Sequence, residues 1–551
     1  MEVFKKRFPV FLLCSTAAVF VFWLVAAPYH LSFLENLQLF LFGKGYLLER
    51  LSLPGGIAAY IAEFLTQFFL YPIAGAAIIA VVFLLTALAS YRIIPTPAAI
   101  IPAAAITAMQ CDISVLPSYS ISFLLIVWAI AFWKNRTKGN FTTALLFVAA
   151  LYWICGPMHI LFALWVAGEM LCKRKSGASA VLVAVAAAVP FIASFGLQYS
   201  PLRLYQGVFY YRYPSTLPAL LFVVPIASMA SLALMSFIQK KFAPLVALFA
   251  IGVSATFYYL SFDFKAEEAY CYDYLAHNGK WNEIIKKAER SNPDTPLGVS
   301  CLNLALGMNG ELGERMFDFY QNGGKGLLPD WSSNYISSIS SIEIYLRLGL
   351  INTAQRCAFE AMETLPDGAK SGRLMKTLAI TNLLNGETAV AKKYRAILGK
   401  TLFYRQWAKT ADISSLEYLR DYRLEQNILT SQSTDKDALC KMLCDHNGKN
   451  TLALEYLLGY ELLEKDLTKF KEFIPISVLA GETKIRRSWQ QALLFDWSAN
   501  HDKFDELPWP VSRTEVDDMI DFARTYATHK YAKKSLEKRY GHSFWYYYLY
   551  R

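Results

Sequence analysis

The sequence predicts an all-α protein, a polytopic bundle of about nine transmembrane helices followed by an extramembrane solenoid of helical repeats. Three observations support this prediction. Of the 551 residues, 55% are hydrophobic and 18% are charged, whereas soluble domains average about 45–50% and about 25%. The long apolar stretches lie within residues 1–262, and turns with a common glycine recur within residues 263–551. We therefore place a domain boundary after residue 262.

The net charge of +10 belongs to the first half of the chain. Up to Phe262 there are 16 basic and 6 acidic residues, and the remainder holds 38 of each. A basic excess beside apolar stretches is typical of the cytoplasmic loops of membrane proteins and does not indicate a nucleic-acid surface. We expect the lipid bilayer as a partner and no nucleic acid.

Each crossing of a bilayer needs about 20 apolar residues, and about 17 at minimum. The candidate spans are residues 9–27, 72–90, 97–115, 117–133, 141–156, 158–172, 177–197, 217–238 and 243–261. If these nine alternate, all the basic clusters fall on one side, namely Lys5 to Arg7, Arg92, Lys134 to Lys138, Lys173 to Lys175, and Lys240 with Lys241. The N-terminus is then cytoplasmic, and the second domain lies on the outer side of the membrane.

Residues 30–70 are predicted as two amphipathic helices at the outer membrane interface, broken at Pro54 to Gly56. The stretch from Gly55 to Tyr71 is short for a span and contains Glu63. A charge within the membrane costs about 2.5–3.5 kcal/mol on insertion scales. A tenth span there would also place Arg92 outside, so we predict that this region lies on the membrane.

Beyond residue 262 four similar turns recur, each between two apolar helices. Their glycines are Gly279, Gly310, Gly349 and Gly386, at spacings of 31, 39 and 37 residues. Helical hairpins with a period of about 34 residues are typical of tetratricopeptide-type stacking. We predict a tetratricopeptide-like domain that binds an acceptor or a protein partner. Residues 446–459 are a further, degenerate copy, and the terminal HSFWYYYLYR is expected to pack as a cap.

Polar groups at the outer face of the membrane half are few, and they are the candidate site residues. Glu35 follows the first span, Asp112 ends the third, and His159 lies in the turn between the fifth and sixth. The loop before the eighth span contributes Arg203, Tyr205, Tyr210, Tyr211, Arg212 and Tyr213. Ionisable groups at membrane level are often functional, so we expect these loops to converge at one cavity.

An acidic residue in the first outer loop, interfacial helices and an acid on the next outer loop resemble the GT-C class of membrane glycosyltransferases over residues 1–262. Those enzymes take sugars from polyprenyl-phosphate lipids. The resemblance implies that Glu35 and Asp112 serve as general base and metal ligands, and that Arg203 or Arg212 holds the lipid phosphate. A divalent metal ion is the one cofactor so implied. The Asp-Asp, Asp-Glu or Asp-x-Asp pair of that class is missing here.

The combination of such a membrane half with a tetratricopeptide-like domain is similar to that of GT-C protein O-mannosyltransferases. The chain also resembles a family of multi-pass membrane proteins from Bacteroidetes. This resemblance implies no particular activity, but it implies a bacterial inner membrane with the second domain in the periplasm. Sugar transfer from a lipid phosphate needs a base for the acceptor and cations for the leaving phosphate. Arginine matches phosphate geometry, and tyrosine rings stack on sugars.

Each candidate also has a plainer interpretation. Glu35 is then a solvated residue of an interfacial helix, Asp112 a cap for the fourth span, and His159 a turn residue. The Tyr/Arg loop is then an interfacial aromatic belt.

Two alternatives to a transferase follow from the same residues. One is a non-catalytic membrane scaffold for cell-envelope components. The other is a ligase or polymerase of surface glycans that relies on Arg203, Arg212 and His159. The sequence contains no P-loop, Rossmann fingerprint or nucleophile elbow, which disfavours soluble nucleotide chemistry.

Overall fold

The structure is a computed structural model. It describes residues 2–136, 141–213, 215–235, 237, 242–330, 335–365, 369–424, 436–481, 484–501, 503–504, 506–528 and 533–551. Within these residues the regular secondary structure is helical, and the one pairing of extended backbone is an isolated bridge between Val115 and Tyr211. Three of the predicted basic residues, Lys138, Lys240 and Lys241, lie outside the described residues.

The chain forms two compact units. The first consists of Met1–Glu267, Leu365–Gly372 and Ala396–Lys409, and the second of Glu268–Thr364, Arg373–Arg395 and Thr410–Arg551. The predicted boundary lies close to the first break, after residue 262. The two short segments from the C-terminal half were not foreseen as parts of the first unit.

The described helices up to residue 261 are α1 (Glu2–Val25), α2 (Pro28–Asn36), α3 (Lys44–Leu51), α4 (Gly56–Thr66), α5 (Pro72–Ile93), α6 (Ile100–Ala108), α7 (Pro117–Arg136), α8 (Phe141–Cys155), α9 (His159–Cys172), α10 (Ser176–Ser194), α11 (Pro201–Gln206), α12 (Leu220–Met235) and α13 (Ala243–Ser261). Those that follow are α14 (Phe264–His277), α15 (Trp281–Arg290), α16 (Pro296–Met308), α17 (Leu312–Arg315), α18 (Tyr335–Leu348), α19 (Ile351–Glu363), α20 (Gly372–Leu384), α21 (Thr388–Leu398), α22 (Arg405–Thr410), α23 (Leu419–Tyr422), α24 (Lys436–His446), α25 (Thr451–Glu464), α26 (Leu467–Leu479), α27 (Arg487–Ser498), α28 (Arg513–Thr528), α29 (Lys533–Tyr540) and α30 (Phe544–Tyr550).

Six helical stretches in the described part of the chain are long and apolar enough to cross a membrane. They are Phe8–Val25, Pro72–Ile93, Pro117–Lys134, Phe141–Cys172, Ser176–Ser194 and Ala243–Ser261. Three further apolar helical stretches in the first unit are shorter, namely Gly56–Leu70, Pro97–Cys111 and Leu220–Met235. The prediction of several apolar helices is therefore confirmed.

The stretch Phe141–Cys172 is a hairpin of α8 and α9 and not one straight helix. The rings of Phe147 and Phe162 are stacked 5.8 Å apart, whereas residues 15 positions apart in one helix are separated by about 22 Å. Gly156, at a φ of +69°, turns the chain between the two helices. The sequence prediction of two separate helices at this point agrees with the structure.

Two apolar cores hold the first unit together. One is formed mainly by α1, α5, α6 and α13, and the other mainly by α7, α8, α9, α10 and α12. All nine residues of α6 are buried, and three of them are the consecutive alanines Ala103 to Ala105. Small side chains let helix backbones approach closely, which explains how α6 packs against α5 and α13 at once.

Residues 28–66 form three helices where two were predicted, and the chain between α2 and α3 is not helical. The helix α4 packs against α7 and α8, and its Ala58 and Ala62 form a small core with Val82 and Ile121. Leu34, Leu37 and Phe40 are buried, although only Leu34 of the three belongs to a helix.

The second unit contains the predicted turns. Gly279, Gly310, Gly349 and Gly386 all have φ between +65° and +93°. At each turn the residue after the glycine donates its N–H to the carbonyl five positions earlier, at 2.8 to 2.9 Å, which is the Schellman arrangement. Lys465 makes the same turn at a φ of +64°. That copy was missed because lysine stands in the glycine position.

A buried ion cluster joins helices of the second unit. Arg373 of α20 donates to both carboxylate oxygens of Asp273 in α14, at 2.6 and 3.0 Å. Nδ1 of His277 donates to Glu343 of α18 at 2.7 Å. Burial opposes the charge of Glu343, but His277 and Arg373 together lower the pKa of that carboxyl to about 2. Because each buried charge faces an opposite charge, the cluster fixes how α14, α18 and α20 meet.

The C-terminal helix α30 packs on the second unit as a cap. Phe544 and Trp545 are buried, and the Trp545 indole N–H donates to the Gln491 carbonyl at 2.7 Å. The Tyr547 hydroxyl donates to the Leu463 carbonyl at 2.8 Å. The aromatic end therefore fills a core, as expected from the sequence.

Candidate functional site

Four loop segments that were predicted at the outer face meet at one end of the first unit. They are residues 37–55, 112–118, 153–159 and 200–213, and we call them the loop cluster. Arg212 joins three of them: its Nη1 donates to the Leu37 carbonyl at 2.8 Å and its Nε to the Ile113 carbonyl at 3.3 Å. A guanidinium presents five N–H donors in a fixed plane, so one side chain can hold two other segments.

Tyr210 joins the fourth segment of the loop cluster to the third. Its hydroxyl donates to the Cys155 carbonyl and accepts the Met158 N–H at 3.2 Å. Its ring meets Tyr119 edge-on, with centroids 5.7 Å apart. Burial raises the pKa of the Tyr210 hydroxyl well above its ordinary value, so it stays protonated as a donor.

The first and third segments meet through their backbones. The Gly55 N–H donates to the Trp153 carbonyl at 2.9 Å, and a Cβ on Gly55 would lie 3.2 Å from the Gly156 nitrogen. Both glycines have positive φ, +80° and +69°, which other residues rarely adopt. The Pro-Gly-Gly break in the sequence therefore marks a close contact between two turns.

An apolar cavity that is partly open to the surroundings lies beside the third and fourth segments, and the empty space in it and at its mouth is about 640 Å³. Three predicted site residues line it, namely His159, Tyr205 and Tyr210. Most of the remaining wall is aliphatic or proline and comes from the α8–α9 turn, α9, α10 and α12. Such a wall suits a hydrocarbon group, because each square ångström of apolar surface removed from water contributes about 25 cal/mol.

His159 compensates for a proline in the cavity wall. Pro190, inside α10, has no N–H for the Ala186 carbonyl one turn earlier. Nε2 of His159 donates to that carbonyl at 2.9 Å, and Nδ1 lies 3.2 Å from the Gly156 carbonyl. Since both ring nitrogens face backbone oxygens, His159 acts as a structural residue of the turn. This geometry weighs against acid–base or phosphate-binding roles for it.

A second proline in the wall is compensated in the same way. Pro225, inside α12, leaves the Leu221 carbonyl without its helical donor. The Tyr119 hydroxyl of α7 donates to that carbonyl at 3.1 Å, and Tyr119 is fully buried. Each of the two prolines inside the helices of the cavity wall, Pro190 and Pro225, is thus matched by one side chain from a neighbouring helix.

Glu35, in α2, is 3% exposed. Its Oε2 accepts the Tyr404 hydroxyl at 3.1 Å, and Tyr404 belongs to the segment Ala396–Lys409 of the same unit. A small, partly open cavity is lined by Glu35, Tyr404, Gln38, Glu63 and Gln67, among others. Asp112, Arg203 and Arg212, all described, do not line it. The two predicted acids therefore do not share this cavity.

Asp112 and Arg203 are held within their own loops. Asp112 is exposed, and its Oδ1 accepts the Ser114 N–H at 2.8 Å, two residues along the chain. This Asx turn precedes α7 without capping it. Arg203 is 9% exposed and donates from Nη2 to the Val208 carbonyl at 2.9 Å. Both contacts fit local stabilisation of the loop.

The remaining tyrosines of the fourth segment have three different surroundings. The Tyr205 hydroxyl donates to the Ala187 carbonyl of α10. Tyr211 pairs through its backbone with Val115. Tyr213 is 39% exposed, and its ring lies edge-on to Tyr211 at 6.2 Å. These residues shape the loop and the cavity wall.

Sequence reasoning used Glu63 as an argument against a membrane span and missed the network around it. Oε2 of Glu63 accepts the Tyr46 hydroxyl at 2.5 Å and the Arg50 Nε at 2.9 Å. Burial, together with the charge of Glu63, raises the pKa of Tyr46. The signal was present, because Glu63 is the one charge between Gly55 and Tyr71, and a lone charge in an apolar stretch needs a partner.

The metal ion implied by the GT-C resemblance does not fit these residues. Among the described residues there is no group of three or more His, Cys, Asp and Glu side chains placed to hold an ion. Glu35 is buried beside Tyr404, whereas Asp112 is exposed and bonded within its own turn. We therefore assign no step to a metal.

Comparison with known proteins gives a family and no activity. No curated protein and no solved structure matches the chain. Residues 3–551, nearly the whole sequence, match a family of unknown function, DUF6057, and the chain belongs to this family.

Proposed function

We propose that the chain is a multi-pass protein of the bacterial inner membrane, with nine crossings, a cytoplasmic N-terminus and a periplasmic second unit. Contacts at the two ends of the bundle support this alternation. Phe8, early in α1, stacks on Tyr91 near the end of α5 at 3.7 Å. Phe22, late in α1, lies 5.4 Å from Phe262, which follows α13. The start of α1 and the end of α13 thus lie at opposite ends of α1.

We further propose that the protein is a GT-C-type transferase that uses a lipid-linked sugar at the outer leaflet. The observation that carries this proposal is the apolar cavity beside the loop cluster, whose wall includes three residues expected from the sequence to bind substrate. A polyprenyl chain is a hydrocarbon and matches that wall. Tyr205, Tyr210 and His159 act by holding the backbone that shapes the cavity.

Glu35 is the candidate general base of this reaction. The acceptor hydroxyl gives its proton to the carboxylate, the sugar–phosphate bond breaks as the glycosidic bond forms, and polyprenyl phosphate leaves. The Tyr404 hydroxyl, which donates to Oε2, orients the carboxylate. Arg203 or Arg212 remains the candidate for the lipid phosphate, as the resemblance implies. Asp112 is given no step, because its implied role was that of a metal ligand and the described residues do not fit a metal ion.

The experiment that tests the lipid site fills the cavity. Ala187 lines it, so Ala187→Phe places a ring where the lipid chain would lie. Ala184, an exposed residue one turn earlier in α10 that does not line the cavity, provides the matched control Ala184→Phe. With full-length protein in nanodiscs and a photoactivatable polyprenyl phosphate, we expect labelling to fall about tenfold in the first variant and not in the control. Equal labelling of the two variants would contradict the lipid site.

A non-catalytic scaffold for cell-envelope components is the second candidate function. The observation that favours it is that Arg203, Arg212 and His159 all donate to backbone carbonyls. The transferase and the scaffold predict different outcomes for a substitution of Glu35. A general base contributes about 10²–10⁴-fold in rate, so Glu35→Gln should abolish complementation of a deletion strain if the protein is a transferase. The control is Glu49→Gln at an exposed position in α3. Full complementation by Glu35→Gln would favour the scaffold.

We propose that the second unit is a tetratricopeptide-like solenoid that binds the acceptor or a protein partner. Four glycine turns with the same Schellman geometry, and a fifth at Lys465, support this proposal. Repeated helical hairpins bury a continuous core by stacking, and they leave one extended face for a ligand.

A further inference from the structure

The segment Ala396–Lys409, which we call the return segment, reads AILGKTLFYRQWAK. It belongs to the first unit although it lies far along the chain. It contains three basic residues, Lys400, Arg405 and Lys409, all exposed, and no acidic residue. Its Tyr404 reaches Glu35, as described above. The positive charges of Lys400, Arg405 and Lys409 have no part in the sugar transfer proposed above.

The return segment is attached where α5 begins. The Phe403 ring lies edge-on to Phe68 at 5.5 Å and to Tyr71 at 5.3 Å. The Phe42 N–H donates to the Lys400 carbonyl at 2.8 Å. Tyr71 directly precedes the candidate span Pro72–Ile93. The segment therefore lies at the level where that span enters the bilayer, a level at which aromatic rings are enriched.

The apolar surface of α5 continues onto the return segment. Ile73 is 67% exposed and Tyr71 55%, and Leu402, next to Phe403, is 43% exposed. Exposed apolar groups that adjoin a membrane span face lipid, and the basic residues of the same segment stand beside them. A surface with an apolar edge and excess positive charge is complementary to a bilayer that contains anionic head groups.

We propose that the return segment binds anionic phospholipid head groups of the surrounding bilayer, with Lys400, Arg405 and Lys409 contacting phosphate while Leu402 enters the interface. The proposal rests on α5 crossing the membrane and not on transferase activity. Binding holds Tyr404, and with it the hydrogen bond to Glu35, at the membrane surface. The lipid composition of the outer leaflet thereby becomes a determinant of how this part of the first unit is ordered.

The test uses the full chain in phosphatidylcholine vesicles with a minor fraction of phosphatidylglycerol that carries a photoactivatable head group. Labelled residues are assigned by mass spectrometry. We expect labelling within the return segment, reduced about fivefold per lost charge and about a hundredfold in the triple variant Lys400→Gln, Arg405→Gln, Lys409→Gln. Added salt should reduce labelling of the native protein as well, because the attraction is screened.

The matched control removes three exposed basic residues of the second unit, Lys280 just before α15 and two within it, with Lys280→Gln, Lys286→Gln and Arg290→Gln. It should leave labelling unchanged. Native labelling of the triple variant, or equal labelling by a phosphatidylcholine probe, would overturn the proposal. So would complete competition by soluble glycerol phosphate, which would indicate a site for free phosphate.

Folding of the triple variant is checked by its unfolding midpoint in phosphatidylcholine alone, which should match that of the native chain. If the midpoint falls, the double variant Lys400→Arg, Lys409→Arg replaces the triple variant in the test, because it keeps the positive charges. Native labelling of the double variant supports head-group binding, and its loss overturns the proposal.

Discussion

The hydroxyl of Tyr119 is expected to stabilise the bundle through one carbonyl. Tyr119→Phe removes the donor that lies 3.1 Å from the Leu221 oxygen and changes little else, because the ring is fully buried and stays in place. Pro225 supplies no N–H to that oxygen, so the carbonyl is left unpaired in the bundle. Interhelical hydrogen bonds in membranes reach about 1.7 kcal/mol, and orphaned buried groups cost about 1–3 kcal/mol. We expect a loss of about 1 to 2 kcal/mol.

A double-mutant cycle isolates the cause. Pro225→Ala restores a backbone N–H one turn from Leu221, so Tyr119→Phe should cost less than about 0.5 kcal/mol in that background. The matched control is Tyr152→Phe in α8, because the hydroxyl of Tyr152 is buried and has no hydrogen-bond partner among the described residues. Removing it should be neutral or stabilising.

The measurement is reversible unfolding of the purified protein in mixed micelles of increasing dodecyl sulfate content, followed by circular dichroism at the helix band. The free energies of unfolding of the four members of the cycle give the coupling between the two sites. An equal cost of Tyr119→Phe with and without Pro225 would refute the idea that the hydroxyl replaces the missing amide. A cost of Tyr152→Phe as large as that of Tyr119→Phe would do the same.

Three further predictions concern topology, ionisation and turn geometry. Reporter fusions at Arg174 and Asn278 should report opposite compartments, and a shared compartment would exclude nine crossings. Burial and the nearby Asp437 raise the pKa of Glu461 from 4.5 to about 8, so the folded state holds this proton more tightly than the unfolded state. Stability from this group is therefore full below about pH 4.5 and falls as pH rises to about 8, and Glu461→Gln should flatten that fall in thermal melts taken across this pH range. Gly349→Ala should lower the melting temperature more than Gly386→Ala, because both glycines have positive φ but a Cβ at Gly349 alone meets a neighbour, 2.7 Å away. Equal losses would show that the contact is relieved at no cost.

Local patterns in the sequence predicted the helices and the turns, which depend on the chemistry of neighbouring residues. The apolar stretches gave helices, and the recurring glycines gave turns, because positive φ at a helix end needs a residue without a side chain. The same rule failed at Lys465, where the turn forms with a lysine. The predicted loops do meet, since Arg212 and Tyr210 connect them. The sequence does not predict the directions of their side chains, however, and these directions decide whether the loops form one catalytic cavity.

Contacts between distant residues could not be predicted from those patterns. Tyr404 reaches Glu35 across 369 positions, and nothing near either residue signals the other. His159 was singled out for its unusual turn, but its partner depends on Pro190, which belongs to another helix. Helix prolines are a usable signal, because each leaves one known carbonyl in need of a donor. Applied to Pro190 and Pro225, this rule identifies the two carbonyls but not the side chains that serve them.

The contact between Arg212 and the Leu37 carbonyl has a consequence for how the protein is made. The two residues are 175 positions apart, and bacterial and eukaryotic ribosomes add roughly 5–20 residues per second. Roughly 9 to 35 s therefore pass between the synthesis of the first segment of the loop cluster and that of the residue that closes it. The helices α3 to α11 are synthesised during this interval, while that end of the bundle is still open. On the membrane topology proposed above, lipid then has access to the interior walls before the last loop closes, and a ligand can be acquired during biogenesis.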